Sequence, residues 1–171
     1  MNQTLVETSR IRVVSLDLEA VIAALENRPR FESMLESSVD PDWPLNDMKD
    51  LLGFVRTKLA SRSETSIWGG VIVRKSPNIV IGDIGFHSSP VNGQVEIGYS
   101  IVAAYRNMGY ATEAAREFLR WGFQHPDITE VIARVDVQNK PSETVLRKIG
   151  FEFESSSEDC RRYRITRTLL H

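Results

Sequence analysis

The sequence is poor in cysteine and in net charge, and it contains no long apolar run. Cys160 is the single cysteine among 171 residues, so no intramolecular disulfide can form, and a reducing compartment such as the cytoplasm is expected. No apolar stretch approaches the roughly 20 residues that cross a bilayer, and no signal peptide is predicted at the N-terminus. The formal net charge of -2 argues against nucleic acid as a partner.

Length and composition predict a single domain over residues 1–171. Apolar residues make up 42% and charged residues 26% of the chain, which is usual for a globular protein with a sizeable core. The sequence shows no internal repeat, low-complexity tract or linker at which a second domain would begin.

Periodicity and turn residues predict an α/β (α+β) chain, with a mixed sheet and helices on both faces. Asp17 is a suitable N-cap, Pro29 and Pro141 suit first helical turns, and Asn92-Gly93 is typical of a tight hairpin. The predicted helices cover 18–26, a short stretch around Pro29, 47–61, 110–124 and 141–149. The predicted strands, numbered one to seven, cover 7–14, 65–75, 79–86, 94–102, 130–137, 151–156 and 161–169.

The stretch from Val95 to Ala114 is typical of a strand, a short loop and a helix. Apolar residues alternate from 95 to 101 and then recur at helical spacing from 111. At the junction, Gly109 and Ala111 allow main-chain N–H groups at a helix N-terminus to approach an anion, most often a phosphate. The junction has neither the Gly-Lys-Ser/Thr of a Walker loop nor the three glycines of a dinucleotide-binding loop.

Three motifs in order make the chain resemble the GCN5-related N-acetyltransferase (GNAT) family. Arg106, Gly109 and Ala111 fit the family's pyrophosphate loop, Arg/Gln-x-x-Gly-x-Gly/Ala. Before this loop, Glu96-Ile97-Gly98-Tyr99 resembles the family's fourth strand. The family's second signature has a counterpart after the loop. It is resembled there by the motif Asn139-x-x-Ser142-x-x-Val145-Leu146-x-Lys148-x-Gly150-Phe151 of this chain. The motif spelling is most similar to the ribosomal-protein N-terminal acetyltransferase (RimJ/RimL-like) branch.

The resemblance implies a mostly antiparallel sheet of six to seven strands, splayed between predicted strands four and five. It also implies acetyl-CoA as co-substrate and no metal. The pyrophosphate would lie on the N–H groups of residues 107–112, and the pantetheine arm would pair with the strand near Ile101. The residues expected to contact acetyl-CoA are Ile101, Arg106, Asn107, Met108, Gly109, Tyr110, Ala111, Thr112, Asn139 and Ser142.

Arg106 and Trp43 keep two interpretations each, and Asn139 has one. Arg106 would add a cation near the phosphates, or would pair with a nearby acid. Asn139 is expected to hydrogen-bond the pantetheine arm. Trp43 lies in a segment that the resemblance implies shapes the acceptor pocket, where it would either line the pocket or fix a loop to the core.

The resemblance implies a catalytic glutamate at Glu96. It precedes Ile97-Gly98-Tyr99 and lies opposite the apolar face of its strand, so a pocket must accommodate it. As a base it would remove a proton from the attacking amine. The alternative roles are orienting the amine or pairing with an arginine. Asp83 and His87 are further candidates for the base.

Many family members carry a tyrosine that acts as the general acid in the helix after strand five. The residue at that position here is Leu146. Ser142 resembles the serine that the ribosomal-protein branch places near the CoA sulfur, so it is the expected proton donor. Because serine is a weak acid, hydrogen bonding to the thiolate or capping of the helix is the alternative.

These expectations combine into an acetyl-CoA-dependent N-acetyltransferase. The acceptor would be a primary amine, either a protein N-terminus or a small molecule, attacking directly in a ternary complex. A covalent acetyl-enzyme is not expected, because Cys160 lies outside all three motifs. The alternative is an acyl-CoA-binding sensor or regulatory domain without turnover. Many relatives are dimers, so a homodimer remains open.

Overall fold

A computed structural model describes residues 2–61 and 69–169. Its helices are α1 (Leu18–Glu26), α2 (Arg28–Leu35), α3 (Asn46–Ala60), α4 (Tyr110–Gly122) and α5 (Lys140–Lys148). Its strands are β1 (Thr4–Glu7), β2 (Ile11–Ser15), β3 (Ser38–Val39), β4 (Gly69–Arg74), β5 (Ile79–Phe86), β6 (Gln94–Ile101), β7 (Glu130–Asp136), β8 (Glu152–Ser156) and β9 (Cys160–Thr166).

The strands form one mixed sheet in the order β1-β2-β4-β5-β6-β7-β9-β8, and β3 pairs with β5. The pairs β3·β5 and β6·β7 are parallel, and the other pairs are antiparallel. The predicted mixed, mostly antiparallel sheet is therefore confirmed. The predicted hairpin also forms, with both Asn92 and Gly93 at positive φ.

Strand boundaries differ from the prediction at both ends of the chain. The predicted strand over 7–14 is two strands, because the Thr8 hydroxyl accepts the N–H groups of Arg10 and Ile11 and makes a turn between them. With β3, this division brings the number of strands in the described residues to nine. The last strand ends at Thr166 and is followed by a 3₁₀ turn. Positions 65–68 of the second predicted strand lie outside the described residues.

Helices lie on both faces of the sheet, as predicted. On one face α4 packs against β1, β2, β5 and β6, where the Phe86 and Phe118 rings are 4.9 Å apart. Asp83 is three residues from Phe86 on β5 and so points to the other face. There it accepts a hydrogen bond from Trp43, which stacks on Phe31 of α2.

The sheet opens between β6 and β7, the fourth and fifth strands of the sequence prediction. Only Gln94–Glu96 pairs with β7, opposite Glu130–Ile132. Beyond Glu96 the two strands diverge, which confirms the expected splay. None of the helices in the described ranges is long and apolar enough to span a bilayer.

Candidate active site

The loop between β6 and α4 exposes a row of backbone N–H groups. Asn107 and Gly109 adopt positive φ values of 61° and 83°, which Asn and Gly tolerate better than most residues. Gly109 is the N-cap of α4 and makes no side-chain capping bond. Within the described residues, the backbone N–H groups of 107–112 have no hydrogen-bond acceptor. Together with the helix dipole, these groups favour an anion.

Arg10, in the β1–β2 turn, holds this loop from one side. Its guanidinium donates to the Met108 carbonyl at 3.1 Å, pairs with Glu113 in the first turn of α4, and lies 4.7 Å from the centre of the Tyr110 ring. Sequence reasoning missed Arg10, since no local motif marks a turn residue that contacts a loop about 100 residues later.

Arg106 points back along β6. Its Nε donates to the Ile101 carbonyl at 2.8 Å, and no ion pair to Arg106 occurs among the described residues. The alternative role of Arg106, a salt bridge with a nearby acid, is therefore not seen in this part of the chain. Arg106 also lines a groove of about 770 Å³, together with Trp43, Arg28 and Lys49.

The backbone of β6 is unpaired on one side beyond the point of divergence. The Glu96 carbonyl accepts from the His87 N–H at 2.9 Å, so even-numbered residues of β6 direct their backbone groups toward β5. Odd-numbered residues direct theirs toward β7, which has moved away. Beyond the last pair with β7 these residues are Tyr99 and Ile101, and the Ile101 carbonyl accepts a hydrogen bond from Arg106 Nε instead.

Glu96 lies at the point of divergence and is partly buried, with its side chain 19% exposed. One carboxylate oxygen accepts a hydrogen bond from Arg134, and the other lies 3.7 Å from Nδ1 of His87. Glu96 lines a cavity of about 570 Å³ that is also lined by Ser88 and Asn92 of the hairpin and by Arg134 of β7. The structure therefore brings Glu96 and His87 together and adds Arg134, which sequence reasoning had not named.

Asp83 lies on the same face as Glu96 but in a closed environment. It is 5% exposed, and one carboxylate oxygen accepts hydrogen bonds from Trp43 Nε1 at 3.0 Å and from Ser100 Oγ at 2.8 Å. Burial raises the pKa of Asp83 to about 6, although both hydrogen bonds act in the opposite direction. Trp43 fixes its loop to β5 through its hydrogen bond to Asp83 and also borders the groove near Arg106, and its role as a wall of the acceptor pocket stays a prediction.

On the other side of the opening, Ser142 lies in the first turn of α5. Its N–H donates to the Asn139 side chain at 3.2 Å, so Asn139 caps the helix. The Ser142 hydroxyl lies 3.0 Å from the hydroxyl of Tyr99 on β6. Leu146 is fully buried in the core and carries no group that could donate a proton.

Tyr99 was predicted only as part of an apolar strand face. Burial raises the pKa of Tyr99, and its hydrogen bond with Ser142 offsets part of that effect. Its position opposite Ser142 depends on how α5 sits against the sheet, which the strand's period of two does not reveal. Among the described residues, no three histidine, cysteine or acidic side chains come together as a metal site would require.

Comparison with known proteins finds relatives and similar structures that are named as acetyltransferases. The chain is 27% identical over 157 residues to the uncharacterized N-acetyltransferase YjdG of Bacillus subtilis (strain 168), covering 91% of this chain and 94% of that one. The ribosomal L7/L12 alpha-N-protein acetyltransferase RimL has a similar fold, with a TM-score of 0.68 at 17% identity over 97% of this chain and 95% of RimL. The microcin C7 self-immunity acetyltransferase MccE, solved with acetyl-CoA and AMP, has a TM-score of 0.62 at 16% identity over 93% of each chain.

The family model described as the acetyltransferase (GNAT) domain matches residues 10–152. The match spans the loop before α4, the opening between β6 and β7, and the first turn of α5. Use of acetyl-CoA is implied by the family. The chain therefore belongs to the GNAT acetyltransferase family.

Proposed function

We propose that this protein is an acetyl-CoA-dependent N-acetyltransferase that transfers the acetyl group to a primary amine by direct attack in a ternary complex. The observation that carries the proposal is the succession of the exposed N–H groups before α4 and the side of β6 that β7 leaves open. It runs from the N–H groups of residues 107–112, along the open side of β6, to the cavity at Glu96.

In this proposal, the pyrophosphate binds the N–H groups of residues 107–112. The side chains of Met108 and Thr112 are then free to vary, because backbone makes the contacts. The pantetheine arm adds to the open side of β6 as a further strand would, near Ile101. Arg106 lies within the same loop and contributes positive charge. Asn139 acts by capping α5 and so holding Ser142 in place.

The chemistry requires an unprotonated amine and a stabilised leaving thiolate. Glu96 is proposed as the base, with Arg134 holding one carboxylate oxygen and the other facing His87. Direct attack is favoured over a covalent acetyl-enzyme, because Cys160 lies at the start of β9 opposite Asp136 and outside the path. Ser142 is proposed as the donor to the sulfur.

For the acceptor, we propose an amine that reaches Glu96 through the adjoining cavity of about 570 Å³. Protein N-termini and small-molecule amines both fit this chemistry. Likeness to RimL in fold and in motif spelling favours a protein N-terminus, and we place the reaction in the cytoplasm, where acetyl-CoA and a reduced Cys160 are expected together.

The test is release of CoA from acetyl-CoA, measured with a thiol-reactive dye against N-terminal peptides, small amines and polyamines. The E96Q variant should lower kcat by about 10² to 10⁴-fold, while binding of acetyl-CoA stays within a few-fold. E117Q is the matched control, because Glu117 pairs with Arg120 on the outer side of α4. Tight binding without turnover would favour the sensor alternative, and absence of acetyl-CoA binding would refute both.

A further inference from the structure

The hydroxyl groups of Tyr99 and Ser142 meet across the opening of the sheet. Tyr99 belongs to β6 and Ser142 to α5, the helix that follows β7, and their oxygen atoms are 3.0 Å apart. The contact therefore joins β6 to the helix that follows β7, at the position where β6 and β7 no longer pair. Under the proposed function, the pantetheine arm and its sulfur pass along this opening.

The direction of the hydrogen bond depends on which hydroxyl donates. The tyrosine hydroxyl has one hydrogen, and its two acceptors are Ser142 Oγ at 3.0 Å and the Ser142 carbonyl at 3.3 Å. Helix geometry already commits that carbonyl to the N–H four residues later. Either hydroxyl can donate in the shorter contact, and when Tyr99 donates to Oγ the Ser142 hydrogen is free to point elsewhere. Among the described residues, Ser142 Oγ has no other partner.

We propose that Tyr99 is a positioning residue that orients the Ser142 hydroxyl toward the sulfur of bound CoA. The proposal rests on the proposed function, since it concerns the thiol of that co-substrate. When the C–S bond breaks, sulfur keeps the bonding electrons and accepts the hydrogen bond of Ser142. The thiolate then takes its proton from solvent, and the proton lost by the amine goes to Glu96. Tyr99 strengthens the bond from Ser142 because it donates to the same oxygen.

The environment of Tyr99 suits this role. Burial raises the pKa of Tyr99, so the hydroxyl keeps its hydrogen throughout the neutral range and remains a donor. Leu146 occupies the usual tyrosine position and is buried without a polar group. Tyr99 thus brings a phenol hydroxyl to the opening from β6 instead of from the helix.

The experiment titrates the thiol of bound CoA through the ultraviolet absorbance of its thiolate. Desulfo-CoA complexes, subtracted at each pH, remove the contributions of tyrosine and Cys160. The variants are Y99F, S142A and the double variant. The control is Y163F, which removes the hydroxyl of a buried tyrosine that contacts Arg147 instead of Ser142.

We expect the thiolate to form about 0.5 to 1 pH unit higher in Y99F and in S142A than in the wild type. The double variant should shift no further than S142A, because Tyr99 acts through Ser142. In turnover, Y99F should lower kcat about tenfold or more, with KM for acetyl-CoA changed less than about threefold. Y163F should match the wild type in both measurements.

A Y99F titration that coincides with the wild type, while S142A shifts, would reduce Tyr99 to a packing residue and overturn the inference. Additive shifts in the double variant would overturn it as well, because the two hydroxyls would then act separately. If wild-type protein bound no CoA, the proposed function would fail first, and that result is visible before any variant is compared.

Discussion

At the scale of one residue, burial of the ionised Asp83 carboxylate in the site region costs folding free energy. The carboxyl group is almost fully buried between Trp43 and Ser100, and no basic side chain pairs with it in the described residues. The folded state therefore favours the protonated form, with the pKa raised to about 6 from the usual 3.8. Stability from this group is fully present below about pH 4 and is lost as the pH rises through 6.

The D83N variant tests this cost. The amide oxygen can still accept from Trp43 and Ser100, but it has no charge to desolvate, so D83N should be more stable than the wild type at pH 7.5. Linkage sets an upper limit of about 3 kcal/mol for the gain, and the difference should vanish near pH 4. Urea unfolding at both pH values measures it, with exposed Asp127→Asn as the control. Equal or lower stability of D83N at pH 7.5 would contradict the argument.

Site residues that would bind a ligand through their backbone groups could be predicted from the sequence. The resemblance carried by the loop and its two flanking motifs indicated residues 107–112, and their unpaired N–H groups agree with that interpretation. Pairing of Glu96 with an arginine was one of the alternatives, but Arg134 as its partner and the Tyr99–Ser142 contact were not predicted. Both depend on how β6 and β7 diverge, and the sequence of either strand contains no sign of the other's position.

At the scale of elements, the β1–β2 turn acts as a support for the loop before α4. Arg10 contacts the Met108 carbonyl, the Tyr110 ring and the Glu113 carboxylate, and the Thr8 hydroxyl also donates to Glu113 at 2.6 Å. These contacts fix the loop conformation from outside the groups that would meet a phosphate. The turn therefore affects anion binding without contacting the anion.

The R10A variant should weaken CoA binding about three- to tenfold, because the loop must then be ordered by the ligand itself. The free energy of unfolding should fall by no more than about 1 kcal/mol, as for an exposed ion pair. Calorimetric titration with CoA measures the first effect and urea unfolding the second. R30A, which breaks the exposed Arg30–Glu19 pair between α1 and α2, should leave the affinity unchanged. An unchanged affinity in R10A would contradict this role.

Element boundaries were predictable where the turn residues themselves force the chain to change direction. β5 spans Ile79–Phe86 as predicted, and α1 begins after its Asp17 cap. The first strand was predicted as one because Glu7-Thr8-Ser9-Arg10 contains neither glycine nor proline, and the turn relies on the Thr8 side chain. The two-residue β3 escaped prediction because its pairing with β5 comes from tertiary packing.

At the scale of the whole molecule, the sheet has two halves joined by few backbone bonds. β1 to β6 form one half and β7 to β9 the other, and only three residues of β6 pair with β7. Helices reinforce the short pairing between β6 and β7, because α4 packs on the first half and also contacts α5. The buried residues of both halves belong to one hydrophobic core. We therefore predict that residues 1–171 unfold as a single domain.

Binding of CoA at the opening between β6 and β7 tests this prediction. CoA at about 100 times its dissociation constant should stabilise the folded state by about 2.7 kcal/mol, which raises the unfolding midpoint by about 5 to 10 °C in a chain of this size. If the halves unfold together, scanning calorimetry should show one transition, and all of it should move. Two transitions, of which only one moves with CoA, would mean that the halves are separate folding units. Desulfo-CoA should give nearly the same shift, because most contacts are expected from the pyrophosphate and the pantetheine arm. A much smaller shift with desulfo-CoA would instead place most of the binding energy at the sulfur.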